Sequence, residues 1–304
     1  MPLSLWEILL QQVINGLILG SFYALVALGY SMVYGIIKLL NFAHGDIYMT
    51  GAFICLTAFG FISGVIGGVP GILLSIIAAM IFCAALGFFV QRIAYKPLFD
   101  APRLSLLITA IGVSLVISNA VMVATNSQFL FFTSGLDNAA GFRFGEIRIT
   151  YIQIVMVLIT AALMAGPHRF ISWTMWGKAM RAISSDMDTC RLMGINVNAV
   201  IGLTFIIGSA LAAVAGGMAC VYYGNVHFSM GYIIGMKAFT SAVIGGIGSI
   251  PGAMLGGLLL GLLEAIGTHF FGSAWKDVFA FVILIVMLIF KPTGLLGKTE
   301  IERM

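Results

Sequence analysis

Residues 200–222 read VIGLTFIIGSALAAVAGGMACVY, and this run decides the fold. It lies inside a longer tract, 192–236, that contains no Asp, Glu, Lys or Arg. About 20 apolar residues in a helix cross the hydrocarbon core of a bilayer. Outward from it, 8–37, 47–91, 104–136, 149–168 and 238–263 are equally free of charge. Of the 304 residues 61% are apolar and 9% charged, where soluble domains carry roughly 45–50% and about 25%. The chain therefore reads as an all-α polytopic membrane protein, one membrane domain over 1–304. Disordered, collagen-like, coiled-coil and disulfide-scaffold classes are excluded.

Nine apolar segments follow, at 8–34, 44–66, 70–90, 104–124, 151–167, 200–222, 232–249, 252–271 and 274–290. Segments 44–66 and 232–249 carry more glycine or polar groups and suit broken or re-entrant helices, so eight full crossings plus a re-entrant piece is a variant of this reading. The basic residues sit between spans: Arg92, Lys96 and Arg103; Arg169, Lys178, Arg181 and Arg191; Lys291, Lys298 and Arg303. Basic residues collect in cytoplasmic loops, which puts 91–103, 168–198 and the C-terminal end inside. The loop 125–150, with Arg143 and Arg148 offset by Asp137 and Glu146, then lies outside, as does the N-terminal end. The net charge of +4 is thus a mark of topology, not of nucleic-acid binding. No Lys or Arg precedes the first apolar run, which reads as a retained span rather than a leader.

Small residues recur at the spacing that lets helices approach closely in a bilayer. Gly60, Gly64 and Gly68 form one series, Gly208, Ala212 and Gly216 a second, and Gly248, Gly252 and Gly256 a third, assigned to helix packing. Cys55, Cys83, Cys190 and Cys220 are far apart, form no CxxC pair and read as small packing residues. The stretch 168–198 is the longest polar insertion and predicts two short helices. Ala179, Ile183 and Met187 share one face, with Lys178, Arg181 and Asp188 elsewhere. Ser185 followed by Asp188 fits a helix cap, and Gly194 a helix stop. Such an insertion either lies on the headgroups or docks a cytoplasmic partner.

Residues 292–299, PTGLLGKT, nearly reproduce a phosphate-binding loop, but Pro292 replaces its first glycine and only five residues follow Thr299. Too little chain remains for the helix such a loop requires, so nucleotide binding is not expected here. No HExxH and no G-x-S-x-G is present, so neither a metal site nor hydrolytic catalysis is expected. Polar residues at membrane depth carry more weight. Glu264 interrupts an apolar run where a charge costs roughly 2.5–3.5 kcal/mol, and marks a pathway or an interhelical bond. If the role is packing, Gln in its place keeps shape and hydrogen bonds. Lys237 begins its segment and either snorkels to the interface or joins the pathway. Asn15 suits a helix–helix hydrogen bond. Asn41, His44 and Asp46 open the second span, as caps or as a gate.

Several of these stretches, taken in order, resemble one family. They are Asn15-Gly16 through Tyr30-Ser31-Met32-Val33-Tyr34-Gly35-Ile36, Asn41-Phe42-Ala43-His44-Gly45-Asp46, Arg92-Ile93-Ala94-Tyr95-Lys96-Pro97, Gly177-Lys178-Ala179-Met180-Arg181-Ala182 and Leu192-Met193-Gly194-Ile195-Asn196. Gly235-Met236-Lys237-Ala238-Phe239-Thr240, Gly245-Gly246-Ile247-Gly248-Ser249-Ile250-Pro251-Gly252-Ala253 and Pro292-Thr293-Gly294 complete the set. The chain resembles the permease subunits of bacterial branched-chain amino-acid ABC importers, in particular the smaller of their two permeases. The resemblance implies a heterodimer with a second permease, two cytoplasmic ATPases that bind ATP and Mg, a periplasmic binding protein, and a place in the inner membrane. It implies no catalysis and no cofactor on this chain, alternating access driven by the partners, and 168–198 as the coupling segment. Gly194 matches a glycine of the family's coupling motif. The motif's acidic position falls on Ser185, with Asp186 beside it, which leaves the salt bridge to the ATPase unassigned. Rival readings are a permease of the same architecture for urea, a short amide or another amino acid, and an ion-coupled secondary transporter.

Overall fold

The computed structural model describes residues 5–99, 101–133, 140–145 and 147–297. Lys298, Arg303, Asp137 and Glu146, used above as topological markers, lie outside the described residues. The helices are α1 (Leu5–Ile37), α2 (His44–Ile62), α3 (Gly68–Val90), α4 (Arg103–Ala124), α5 (Tyr151–Trp173), α6 (Met175–Ser185), α7 (Met187–Leu192), α8 (Val197–Tyr223), α9 (Met230–Gly245), α10 (Ile250–Phe271) and α11 (Lys276–Phe290). A π turn, Gln91–Tyr95, extends α3. Eight segments are long and apolar enough to cross a membrane, α11 being counted with the 3-10 turn Ser273–Trp275 before it, and α9, with 16 residues, is a shorter apolar helix. At 1.5 Å per residue α9 spans about 24 Å, less than the roughly 30 Å of a bilayer core. By length and composition the eight spans agree with the eight-crossing variant, with the segment 232–249 as its short element.

α1 is the axis of the bundle. Its apolar window is 94% buried and that of α8 72%, against 11% for α4 and 6% for α11, so the last two form the periphery. The largest contact in the bundle joins α1 to α10 through glycine. A β-carbon on Gly261 would stand 2.2 Å from the Gly20 nitrogen and 2.6 Å from the Gly16 carbonyl oxygen, and one on Gly257 2.4 Å from Ala24 Cα. In the expected series at Gly208, Ala212 and Gly216, Gly216 packs tightly against the Tyr48 carbonyl and Gly208 makes ordinary contact with Gly29. Of the third series, Gly252 and Gly256 meet the Gly245 and Ser241 backbone, whereas Gly248 lies in the turn before α10 and touches Gly35. The first series is not a contact: Gly60, Gly64 and Gly68 have nothing within 4 Å of a built β-carbon. Spacing alone cannot distinguish an open small-residue face from a closed one.

The chain ends of the helices sort into two ends of the bundle. At one, β2 (Gly141–Phe144) and β3 (Ile147–Thr150) form a hairpin, and β1 (Leu130–Phe131) pairs with β4 (Asn225–Val226). The Gln11 side chain ties α1 to this hairpin, donating to the Arg148 carbonyl and accepting from its amide. Thr150 and Gln153 cap α5 reciprocally. The other end carries the π turn, α6, α7 and the turn before α10. α5 continues through Pro167 to Trp173, so the insertion begins at Thr174 rather than at 168; neighbouring helices make proline tolerable in a membrane helix. Residues 291–297 close this end. Leu295 and Leu296 amides donate to the Ile244 and Gly245 carbonyls at 2.8 and 2.9 Å, satisfying carbonyls that the end of α9 leaves open. Gly246 (φ +104°) and Gly294 (φ +73°) make the close approach possible. The phosphate-loop look-alike is thus a strap across a helix end.

Candidate functional site

Glu264 and Lys237, weighed separately from sequence, form one cluster. Lys237 Nζ on α9 lies 3.0 Å from Glu264 Oε1 on α10 and 2.7 Å from Asp277 Oδ1 in the first turn of α11. Lys276 Nζ reaches the same Glu264 oxygen at 3.3 Å. Tyr23 of α1 donates its hydroxyl to the Glu264 carboxylate, 3.1 and 3.0 Å from its two oxygens. Glu264 and Lys237 are 0% and 1% exposed, so Lys237 does not snorkel. Two ammonium groups face two carboxylates, which removes the net charge that burial would penalise. Tyr23, Lys276 and Asp277 were missed from sequence. Their signal was the opposite-signed pair Lys276-Asp277 beside an apolar run, matching in number the two charges at depth. Asn15, about two helix turns nearer the start of α1 than Tyr23, bonds within its own helix, to Gln11 and Gln12, rather than across helices.

Asn41, His44 and Asp46 gather at the start of α2, but not as caps. Ala43 occupies the cap position and no side chain caps the helix. Asn41 accepts from the Tyr95 hydroxyl at 2.9 Å, and Asp46 accepts from Ser114 of α4. The His44 ring meets Tyr30 edge-on, 4.8 Å between centroids, and fills the space a β-carbon on Gly29 would need. Helix α2 thus starts two turns inside the end of α1. There it meets the start of α9: a β-carbon on Gly45 would stand 2.3 Å from the Gly231 carbonyl oxygen. Two helix starts touching backbone to backbone inside the bundle explain the polar and glycine-rich composition of these two segments.

The insertion is amphipathic as expected. Met180, Ile183 and Cys190 pack beneath it with Val197, Val200 and Ile201 of α8. Lys178, Arg181, Ser185, Asp186 and Gly194 lie on its exposed side. Two of the five also build it. Arg181 donates to the Ile171 carbonyl. Asp186, rather than Ser185, caps α7, accepting from the Asp188 and Thr189 amides at 3.0 Å. The Thr189 side chain, then its amide, holds the Asp186 carboxyl below the usual carboxylate range. Gly194 (φ +81°) turns the chain out of α7, and Leu192 and Met193 beside it are 87% and 78% exposed.

A bundle with eight helices long and apolar enough to cross a bilayer, and a neutralised charge cluster inside it, is the architecture of a polytopic membrane protein. The family model described as branched-chain amino acid transport system / permease component matches residues 12–288. The chain is 47% identical over 301 residues to the high-affinity branched-chain amino acid transport system permease protein BraD of Pseudomonas aeruginosa, covering 97% of each. It is 41% identical over 299 residues to the corresponding protein LivH of Escherichia coli, again covering 97% of each. A metal-chelate type ABC transporter in an inward-facing conformation shares the fold, with a TM-score of 0.51 and 16% identity over 93% of this chain and 87% of that one. The chain belongs to the permease-component family of branched-chain amino acid transport systems, and is a multi-pass membrane permease subunit.

Proposed function

We propose that this chain is one of two permeases in an ATP-driven importer that moves leucine, isoleucine or valine across the inner membrane by alternating access. The observation that carries this reading is the 47% identity to BraD over nearly the full length of both chains. In the proposed complex two ATPases bind ATP and Mg and dock on α6–α7, and a periplasmic binding protein delivers the substrate to the hairpin end. Three features support that orientation: Lys38, Arg92, Lys96, Lys178, Arg181, Arg191 and Lys291 all belong to the insertion end; the hairpin end has fewer basic residues; and the exposed Leu192-Met193 pair suits a protein groove. The chain itself does no covalent chemistry in this scheme.

The test is reconstitution of the complete complex in proteoliposomes with ATP inside and binding protein outside. Leucine uptake that requires ATP is the expected result. Cysteines at Ser185 or Asn196 should crosslink to the ATPase and react with reagents only from its side. Uptake by the isolated chain, driven by an ion gradient, would replace this reading with the secondary-transporter one.

A further inference from the structure

We infer that the hairpin end of this chain holds a receiving site for the zwitterionic head of a free amino acid, in a cleft between α1, α8, α10 and the start of α11. The inference rests on the importer reading. The cleft measures about 330 Å³, at the lower end of the roughly 300–1,000 Å³ of small-ligand sites. That size suits one small aliphatic amino acid. Its wall is the outer edge of the buried charge cluster. Lys276 holds Glu264 at 3.3 Å yet its side chain stays 38% exposed. An ammonium has three N–H donors, and Glu264 occupies one of them, which leaves donors for an incoming carboxylate. Across the cleft stand the amides of Gln12 and Asn15. The Asn15 oxygen accepts from Gln11 at 3.2 Å, and an amide oxygen has a second lone pair with which to accept from an ammonium. Leu19, Ala265 and the Tyr223 ring give a branched side chain an apolar wall, and Thr268, Ser273 and His269, whose Nδ1 lies 3.4 Å from Gln12 Nε2, add polar groups to the lining.

The charge count selects the ligand. Lys237 and Lys276 balance Glu264 and Asp277, so the cluster is neutral as it stands. A zwitterion leaves it neutral. A lone carboxylate or a lone ammonium would bring an uncompensated charge beside the fully buried Glu264 and upset that balance. The site therefore recognises both ends of the amino-acid head together.

A diazirine analogue of leucine tests this on the complete complex in proteoliposomes, with labelled peptides mapped by mass spectrometry. Label is expected within 12–19 or 265–276. Excess leucine should protect against it, whereas 4-methylpentanoate and 3-methylbutylamine, each with one of the two charges, should not. Lys276→Gln should cut the label at least tenfold and Lys276→Arg should restore it. Asn15→Leu, which leaves the charge cluster intact, should also lower it. Label in the cleft that phosphatidylethanolamine displaces and leucine does not would assign the cleft to a lipid head and overturn the proposal. So would equal protection by the single-charge analogues, or leucine-protected label only elsewhere in a complex that imports leucine. A complex that imports no leucine overturns the importer reading and this proposal with it.

Discussion

Replacing Glu264 with Gln removes one charge from a cluster of four in which Glu264 and Lys237 are buried and Lys276 and Asp277 half-exposed. From sequence alone Gln looks tolerable, because it keeps shape and hydrogen bonds. The structure reverses that expectation. In the variant, Lys237 and Lys276 share a single carboxylate, Asp277, and a net positive charge is left at depth. Removing one partner of a buried ion pair typically costs about 3–5 kcal/mol, a large part of a stability of about 5–15 kcal/mol. Lys237→Met costs a similar amount for the opposite reason, since it leaves a carboxylate in excess. The double variant Lys237→Met, Glu264→Gln is neutral again, with Lys276 and Asp277 remaining, and should be more stable than either single variant. The assay is thermal unfolding of the purified complex, paired with leucine uptake in proteoliposomes. Costs that simply add in the double variant would show that the two residues do not act as a pair and would refute the reasoning.

Three further outcomes follow from other parts of the structure. Gly257→Leu places atoms where Ala24 Cα stands 2.4 Å from a built β-carbon, and should destabilise by at least the about 1–3 kcal/mol of an overpacked contact, whereas Gly60→Leu, open on that side, should change Tm little. Tyr95→Phe leaves the Asn41 oxygen without its donor and should lower stability by about 1–3 kcal/mol, measured by Tm. Because the Asp186 carboxyl is held below its ordinary range by Thr189, its cap on α7 is fully present above the unfolded value of about 3.9 and is lost as pH falls through the lowered folded value. Hydrogen exchange of the Thr189 amide should show that loss, and Thr189→Val should move it to higher pH.

The spans were legible because hydropathy is summed over long windows and tolerates local error. Their pairings were not legible, because nothing periodic links one helix to another. Gly16-x3-Gly20 and Gly257-x3-Gly261 carry the same spacing as Gly60-x3-Gly64, yet the first two close on each other and the last faces open space. Lys237 and Glu264 were visible as charges in apolar sequence, and their union across 27 positions was not. Local rules failed where two readings compete within a few residues. The apolar segment read over 151–167 stops at Pro167, although α5 runs six residues past it. Asp186 takes the cap that Ser185 suggested, because a carboxylate accepts two amides at once. The strap role of the 292–297 run depends on Ile244 and Gly245, far away in sequence.

These contacts also say where the bundle moves. α9 is fixed at three points: its start against Gly45, its middle through Lys237 to Glu264 and Asp277, and its end under the 291–297 strap. Separating α9, α10 and α11 would break buried ion pairs. Separating α1 from α10 would open a glycine interface packed at backbone distance. α4 is held differently. It is mostly exposed, and its polar tether to the core among the described residues is Ser114 to Asp46. A conformational cycle follows the cheapest separation, so α4 should move against a rigid unit of α1, α9, α10 and α11. Spin labels on Leu115 and Leu259 should change their separation when the complex binds ATP, and labels on Leu259 and Val282 should hold theirs. A constant first distance with a changing second would locate the motion in the charge cluster instead, and make those ion pairs the gate.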